Sequence, residues 1–155
     1  IMTKQELYLK TIFCCIACDG EIVQEEIKVM KAMIAESSLF MGIEPEAILN
    51  AYVSEINKDG ILFLKKYLNE LSDSDLTVEE ELRLVGLAIQ MIEADNNIEY
   101  SEVKFFKKIR SRLSVSDEQI LEQYPCKENF LLPDISVSED PIWNFVTFTK
   151  FMEHE

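Results

Sequence analysis

One motif occurs twice in this chain of 155 residues, and the duplication constrains the fold more than any other feature. The first copy, residues 16–33, reads IACDGEIVQEEIKVMKAM, and the second, residues 92–109, reads IEADNNIEYSEVKFFKKI. The offset between the copies is constant from Ile16/Ile92 to Met33/Ile109, without a gap, and six positions are identical. Because similarity at a fixed spacing marks repeated supersecondary units, we expect two copies of one unit within a single domain.

Helical periodicity dominates the rest of the chain. Apolar residues recur three and four positions apart, and the four Gly and four Pro are too few for a turn-rich β sandwich. We predict seven helices near residues 4–18, 24–37, 45–58, 61–72, 77–92, 101–113 and 116–124. The motifs Thr77-x-x-Glu80 and Ser116-x-x-Gln119 predict capping boxes at the starts of two of them.

The repeat extends beyond the opening motif and defines the predicted architecture. EPEAILNAY at residues 44–52 is similar to SDEQILEQY at residues 116–124, now at a slightly shorter offset. We therefore predict an all-α, pseudo-two-fold bundle of two three-helix repeats, because neither repeat can bury its apolar faces alone. Within a domain spanning 1–124, the first repeat covers 4–58, a bridging helix covers 61–72 and the second repeat covers 77–124. A C-terminal extension, 125–155, is expected to pack on the same domain.

The charge of the chain restricts its partners. Asp and Glu number 29 against 15 Lys and Arg, a formal net charge of −14. Such a field repels nucleic acid and anionic lipid, and it attracts cations and basic protein surfaces. Apolar runs stay well below the roughly 20 residues of a membrane span, and the N-terminal region does not resemble a secretory signal. We therefore expect a cytoplasmic protein that binds neither nucleic acid nor membranes.

The spacing Cys15-x-x-Cys18 raises the question of a redox or zinc site. The only His is His154, so a zinc site lacks further soft ligands. The pair also lies at the predicted C-terminal end of a helix, where the helix dipole disfavours a thiolate. We predict that these cysteines are buried, reduced and protonated.

Two acidic turns, one in each copy of the motif, are the candidate site. The first resembles the second half of an EF-hand loop, but Cys15 and Ala17 occupy the positions where calcium ligands should begin. A purely structural interpretation is available, in which Asp19 and Asp95 stabilise the turns and Glu26 and Glu102 cap helix amides. Gly20 and Asn96 would then adopt left-handed backbone conformations, and Ile22 and Ile98 would insert into the core.

The functional interpretation of the same turns is a metal site. If the repeats bring the turns together, Asp19, Glu26, Asp95 and Glu102 converge, and their oxygen ligands suit Mg²⁺, Ca²⁺ or Mn²⁺ better than zinc. Carboxylates held close together repel one another unless a cation intervenes. A divalent cation or a basic protein surface is therefore the expected partner.

The repeated D-[GN]-x-I-x-x-x-E turn, each copy between two helices, resembles the TerB-like tellurite-resistance family over about residues 4–124. A similar fold occurs in the N-terminal region of membrane-anchored DnaJ-like co-chaperones. The resemblance implies a pseudo-symmetric helical bundle without enzymatic activity, connected with stress responses. It also implies that Asp19, Glu26, Asp95 and Glu102 bind a divalent cation.

Two other functions compete with the binding module. Pro141 can open a last helix containing Trp143, Phe145, Phe148 and Phe151, which suggests an adaptor or homo-oligomer contact through exposed aromatic side chains. An enzyme is disfavoured because the chain has no phosphate-binding loop or nucleophile-elbow motif, and its only His is terminal.

Overall fold

The structure is a computed structural model that describes residues 2–22, 24–94 and 96–132, and all regular structure in these ranges is helical. The seven α-helices are α1 (Lys4–Ala17), α2 (Gln24–Glu36), α3 (Pro45–Asp59), α4 (Ile61–Ser72), α5 (Val78–Ile92), α6 (Tyr100–Arg110) and α7 (Asp117–Gln123). Short 3₁₀ turns lie at Ser38–Phe40 and Glu128–Phe130. The all-α prediction is confirmed for the described residues, although α6 ends three residues before its predicted end.

Local sequence signals set several helix ends. At the start of α5, the Thr77 hydroxyl accepts a hydrogen bond from the Glu80 N–H (3.2 Å), and the Glu80 carboxylate accepts one from the Thr77 N–H (2.9 Å). Ser116 and Gln119 form the same reciprocal pair at the start of α7. Both predicted capping boxes are therefore present, and each satisfies amides that a helix leaves without internal acceptors.

The core is built around α1. Eleven of its fourteen residues are buried, and it packs against α3, α4, α5 and α6. The helix α5 in turn packs against α2, α6 and α7. Large side chains such as Phe13, Tyr67 and Phe106 are almost fully inaccessible, and each contributes about 1.5–3 kcal/mol when buried.

Each half contains a tyrosine hydrogen bond that docks one helix on another, and the residues involved match at the sequence offsets of the repeat. The Tyr52 hydroxyl of α3 donates to the Glu6 carbonyl of α1 at 3.4 Å. The Tyr124 hydroxyl of α7 donates to the Leu82 carbonyl of α5 at 2.8 Å. The two tyrosines are counterparts at the shorter offset of the repeat, and Glu6 and Leu82 are counterparts at the longer one. The helix α3 is therefore docked on α1, and α7 is docked on α5, through tyrosines at matching positions of the repeated sequence.

A side chain near the start of α1 and of α5 anchors the loop that follows the second helix of each unit. Gln5 donates to the carbonyls of Leu39 (2.9 Å) and Met41 (2.6 Å). Glu81, the counterpart of Gln5 at the longer offset, accepts from the backbone N–H groups of residues 114–115, both at 2.9 Å. Equivalent positions therefore anchor equivalent loops with opposite hydrogen-bond polarity.

Lys10 in α1 and Gly86 in α5 are counterparts at the longer offset, and their roles differ. Lys10 is buried, with its ammonium 2.6 Å from the Glu70 carboxylate and 4.7 Å from the centre of the Phe63 ring. A Cβ atom built on Gly86 would lie 2.2 Å from the Tyr124 hydroxyl oxygen. The glycine therefore permits an approach of α7 to α5 that a side chain would block.

The C-terminal helix that we predict to open at Pro141 falls outside the described residues, as does everything from residue 133 onward. Among the helices that are described, none combines the length and apolar character required to cross a membrane.

Candidate functional site

The two acidic turns share a left-handed residue and a backbone hydrogen bond at matching positions. Gly20 has φ of 85° and Asn96 has φ of 58°, so both lie in the left-handed region that was predicted. The Gly20 N–H donates to the Ala17 carbonyl (3.0 Å), and the Asn96 N–H donates to the Glu93 carbonyl (3.1 Å). Asparagine is among the few residues besides glycine that tolerate this conformation, which explains how the second copy keeps the turn without glycine.

The prediction that both turn isoleucines insert into the core is wrong for one of them. Ile22 is partly buried and packs against the core, whereas Ile98 is 46% exposed. Beside Ile98, the Asn97 amide donates to the Glu99 carboxylate at 3.0 Å, and both residues are exposed. An identical residue at a repeated position therefore does not ensure burial, because burial of a turn residue depends on its tertiary neighbours.

Asp19 links the first turn to the second through electrostatics. Its carboxylate accepts a hydrogen bond from the Glu21 N–H at 3.0 Å, as the structural interpretation predicted. Partial burial raises the pKa of Asp19, and the charges of Glu21 and Glu99 raise it further. Glu99 belongs to the second turn, and its charge makes the smallest of these contributions to the pKa of Asp19.

Glu26 and Glu102, the glutamates that end the repeated D-[GN]-x-I-x-x-x-E motif, are both buried, with 3% exposure each. The Glu102 carboxylate accepts a hydrogen bond from the Glu99 N–H at 2.9 Å and so caps α6. Burial raises the pKa of the Cys15 thiol, and the charges of Glu102 and Glu26 add to the effect. Two buried glutamates from different repeats therefore act on one sulfur atom near the C-terminal end of α1.

The Cys15-x-x-Cys18 pair is buried and forms no disulfide, as predicted. Both are buried and free, and the Cys18 thiol donates to the Cys15 carbonyl at 3.4 Å. Burial raises the pKa of the Cys18 thiol well above its usual range, and the charges of Asp19 and Glu102 raise it further. Because the thiolate is the nucleophile and the metal ligand, this pair is unsuited to redox or zinc chemistry.

The described residues do not complete a metal site by themselves. In the ranges 2–22, 24–94 and 96–132, no group of three or more His, Cys, Asp or Glu side chains is placed to hold a metal ion. Glu93, beside the second turn, pairs instead with Lys127 at 2.6 Å. Asp95, the remaining acidic residue of the motif, lies outside the described residues. A cation site at these turns therefore depends on Asp95.

Sequence reasoning did not single out two buried charged residues, Lys10 and Glu81. Both lie within amphipathic helices where the apolar pattern draws attention to their neighbours, and both are fully engaged in the contacts with Glu70 and with residues 114–115. A charged residue on the buried face of a helical pattern is the one signal that could have identified them.

Comparisons with protein-family models, with curated proteins and with solved structures gave no match for this chain. The resemblance to the TerB-like family therefore rests on the duplicated turn motif.

Proposed function

We propose that this protein is a non-enzymatic, acidic helical binding module whose paired turns bind a divalent cation. The observation that carries the proposal is the burial of one glutamate from each copy of the motif, Glu26 and Glu102, on helices that begin at equivalent positions. The charges of both raise the pKa of Cys15 beyond the effect of its burial, and the charge of Glu99 contributes to the raised pKa of Asp19. Carboxylate oxygens are the ligands that hard divalent cations prefer in proteins.

The proposal includes a pseudo-two-fold relation between the repeats. Three observations support this relation. Tyr52 and Tyr124 make corresponding hydrogen bonds, and α2 and α6 begin at residues that match at the longer offset. The helix α1 packs on α6, as its counterpart α5 packs on α2. Such an axis would pass between α1 and α5 and would place the two turns on the same end of the molecule.

The ligand set that we propose is Asp19, Glu26, Asp95 and Glu102, with Mg²⁺, Ca²⁺ or Mn²⁺ as the cation. A basic protein surface is the second ligand class that the same charges would attract, given the formal net charge of −14. By its motif resemblance to the TerB-like family, the protein would act in a stress-response setting.

Calorimetry with each of the three cations, combined with melting curves, tests the cation site. A ligand that binds only the folded state raises the melting temperature. We expect the full chain to respond to at least one cation and Asp95→Asn and Glu26→Gln to lose the response. Glu25→Gln is the matched control, because it removes the same charge from an exposed neighbour.

Absence of heat and of any melting shift at millimolar Mg²⁺, Ca²⁺ and Mn²⁺ would eliminate the cation site. An equal loss of response in Glu25→Gln would show that general surface charge, and not the paired turns, attracts the ions.

The alternative function, an adaptor that docks a partner through the aromatic C-terminal segment, stays a prediction of the sequence. The residues concerned, Trp143 to Phe151, lie outside the described ranges.

A further inference from the structure

A groove lies between α2 and α5, and none of the proposed cation ligands lines it. It has a volume of about 440 Å³, and Val29, Met33 and Leu87 form the apolar part of its lining. Glu36 and Gln90 contribute polar groups to the same lining, and both are exposed. Val29 and Leu87 are only partly buried, although each packs against the core.

In the other half of the molecule, the equivalent positions are covered by α4. At the offset that relates Ile16 to Ile92, Val29 corresponds to Phe105 and Leu87 corresponds to Thr11. Tyr67 of α4 contacts both: its ring centre lies 6.2 Å from that of Phe105, and its hydroxyl lies 2.6 Å from the Thr11 hydroxyl. The α2–α5 groove is therefore the counterpart of the surface that α4 occupies.

The order of the chain indicates what should occupy this counterpart. The helix α4 directly follows the third helix of the first repeat, and the segment after α7 holds the same place in the second repeat. The core contacts of α4 include Leu64, Tyr67 and Leu71, and the spacing of these residues recurs as Phe145, Phe148 and Met152. In this comparison of sequence spacing, Phe148 corresponds to Tyr67.

The chemistry of the two positions matches. In the first half, a tyrosine hydroxyl meets a threonine hydroxyl. In the second half, both hydroxyls would be absent, since Phe148 would meet Leu87. Replacing both partners of a buried hydrogen bond by apolar groups leaves no polar atom unsatisfied, whereas replacing only one would.

The chain is long enough for this connection. Between Leu132 and Pro141, the eight residues 133–140 can span roughly 27 Å when extended. A domain of about 130 residues has a radius of gyration of roughly 14 Å, so this linker reaches much of the surface.

We propose that residues 141–152 of this chain pack as a helix in the α2–α5 groove, with Phe148 against Val29 and Leu87. The segment would take in the second repeat the role that α4 takes in the first. The proposal is independent of the cation site, because it involves none of the proposed cation ligands.

Trp143 is the only tryptophan of the chain, so its fluorescence reports on this segment alone. We expect blue-shifted emission and protection from acrylamide in the intact protein. Leu87→Glu in the groove and Phe148→Ala in the segment should each shift the emission toward that of a solvated indole and increase quenching severalfold. Leu62→Glu is the control, because it makes the same substitution at a side chain that is 63% exposed and far in sequence from the residues of the groove.

Far-UV circular dichroism of each variant establishes that the bundle is folded, and if Leu87→Glu unfolds, Phe148→Ala decides. Solvent-like emission in the intact protein, or emission that neither substitution changes, would overturn the proposal. Protection that appears only at concentrations where light scattering detects dimers would also overturn it, because the groove would then hold the segment of a second copy.

Discussion

Gly86 in the middle of α5 gives the sharpest test of how the second repeat is assembled. Alanine is a better helix former than glycine by about 1 kcal/mol, so Gly86→Ala at an unobstructed site should stabilise the protein. Here we expect the opposite sign, because the new Cβ atom would lie 2.2 Å from the Tyr124 hydroxyl oxygen and 2.7 Å from its ring carbon Cζ.

The size of the effect follows from what Tyr124 must do to make room. The hydroxyl must retreat until the separation of 2.2 Å reaches an ordinary contact distance of 3.4 Å. That movement breaks its 2.8 Å hydrogen bond to the Leu82 carbonyl. Loss of the bond costs about 0.5–1.5 kcal/mol, and overpacking of this kind costs about 1–3 kcal/mol. After subtracting the gain in helix propensity, we expect a net loss of roughly 2 kcal/mol.

Urea denaturation followed by circular dichroism measures this difference as a lower transition midpoint for Gly86→Ala. The control is the same substitution in a Tyr124→Ala background, where the obstruction is gone and a gain of about 1 kcal/mol should return. If Gly86→Ala stabilises the protein that retains Tyr124, the close approach of α7 to α5 is not what fixes glycine at this position.

Three further predictions concern single side chains. Glu81→Leu leaves two loop N–H groups without their acceptor and should lower the free energy of unfolding by roughly 2–5 kcal/mol in urea titrations. Glu81→Gln keeps an acceptor oxygen, so it should lower the free energy of unfolding by less than about 1.5 kcal/mol. Equal losses in the two variants would contradict the hydrogen-bond argument. Because the pKa of Asp19 is raised in the folded state, its charged form opposes folding above that pKa. Asp19→Asn should therefore be more stable than the parent protein at pH 7, and this advantage should vanish as the pH falls below the usual aspartate range. Stability profiles of the two proteins that stay parallel from pH 7 to pH 3 would refute this. A thiol reagent should label Cys126 rapidly and the other three cysteines only after unfolding, and fast reaction of more than one thiol in the native protein would contradict the burial of Cys14, Cys15 and Cys18.

Helix positions and caps were accessible from the sequence because their causes are local. The pairs Thr77/Glu80 and Ser116/Gln119 lie three residues apart, so the geometry that joins them is set by one helical turn. The left-handed turn at Asn96 followed in the same way from its alignment with Gly20.

Contacts between distant segments were not accessible, because no local pattern encodes them. Glu81 bonds to a loop 33 residues later, and Lys10 pairs with Glu70 across 60 residues. The exposure of Ile98 shows the same limit, since repetition predicts the residue's position in the turn and not its neighbours. For the acidic turns, the sequence placed Glu26 and Glu102 in the first turns of two equivalent helices, and both side chains are buried. The convergence of the turns on one cation stays a prediction.

The central placement of α1 has a consequence for the nascent chain. Its apolar surface packs against α5, whose last residue, Ile92, is synthesised long after Ala17. At ribosomal rates of about 5–20 residues per second, this delay lasts roughly 4–15 s, and during it the surface of α1 that packs against α5 stays without its partner helix. We therefore expect a fragment ending at Ser72 to aggregate or to be held by chaperones, and a monomeric fragment with full helicity would contradict that expectation.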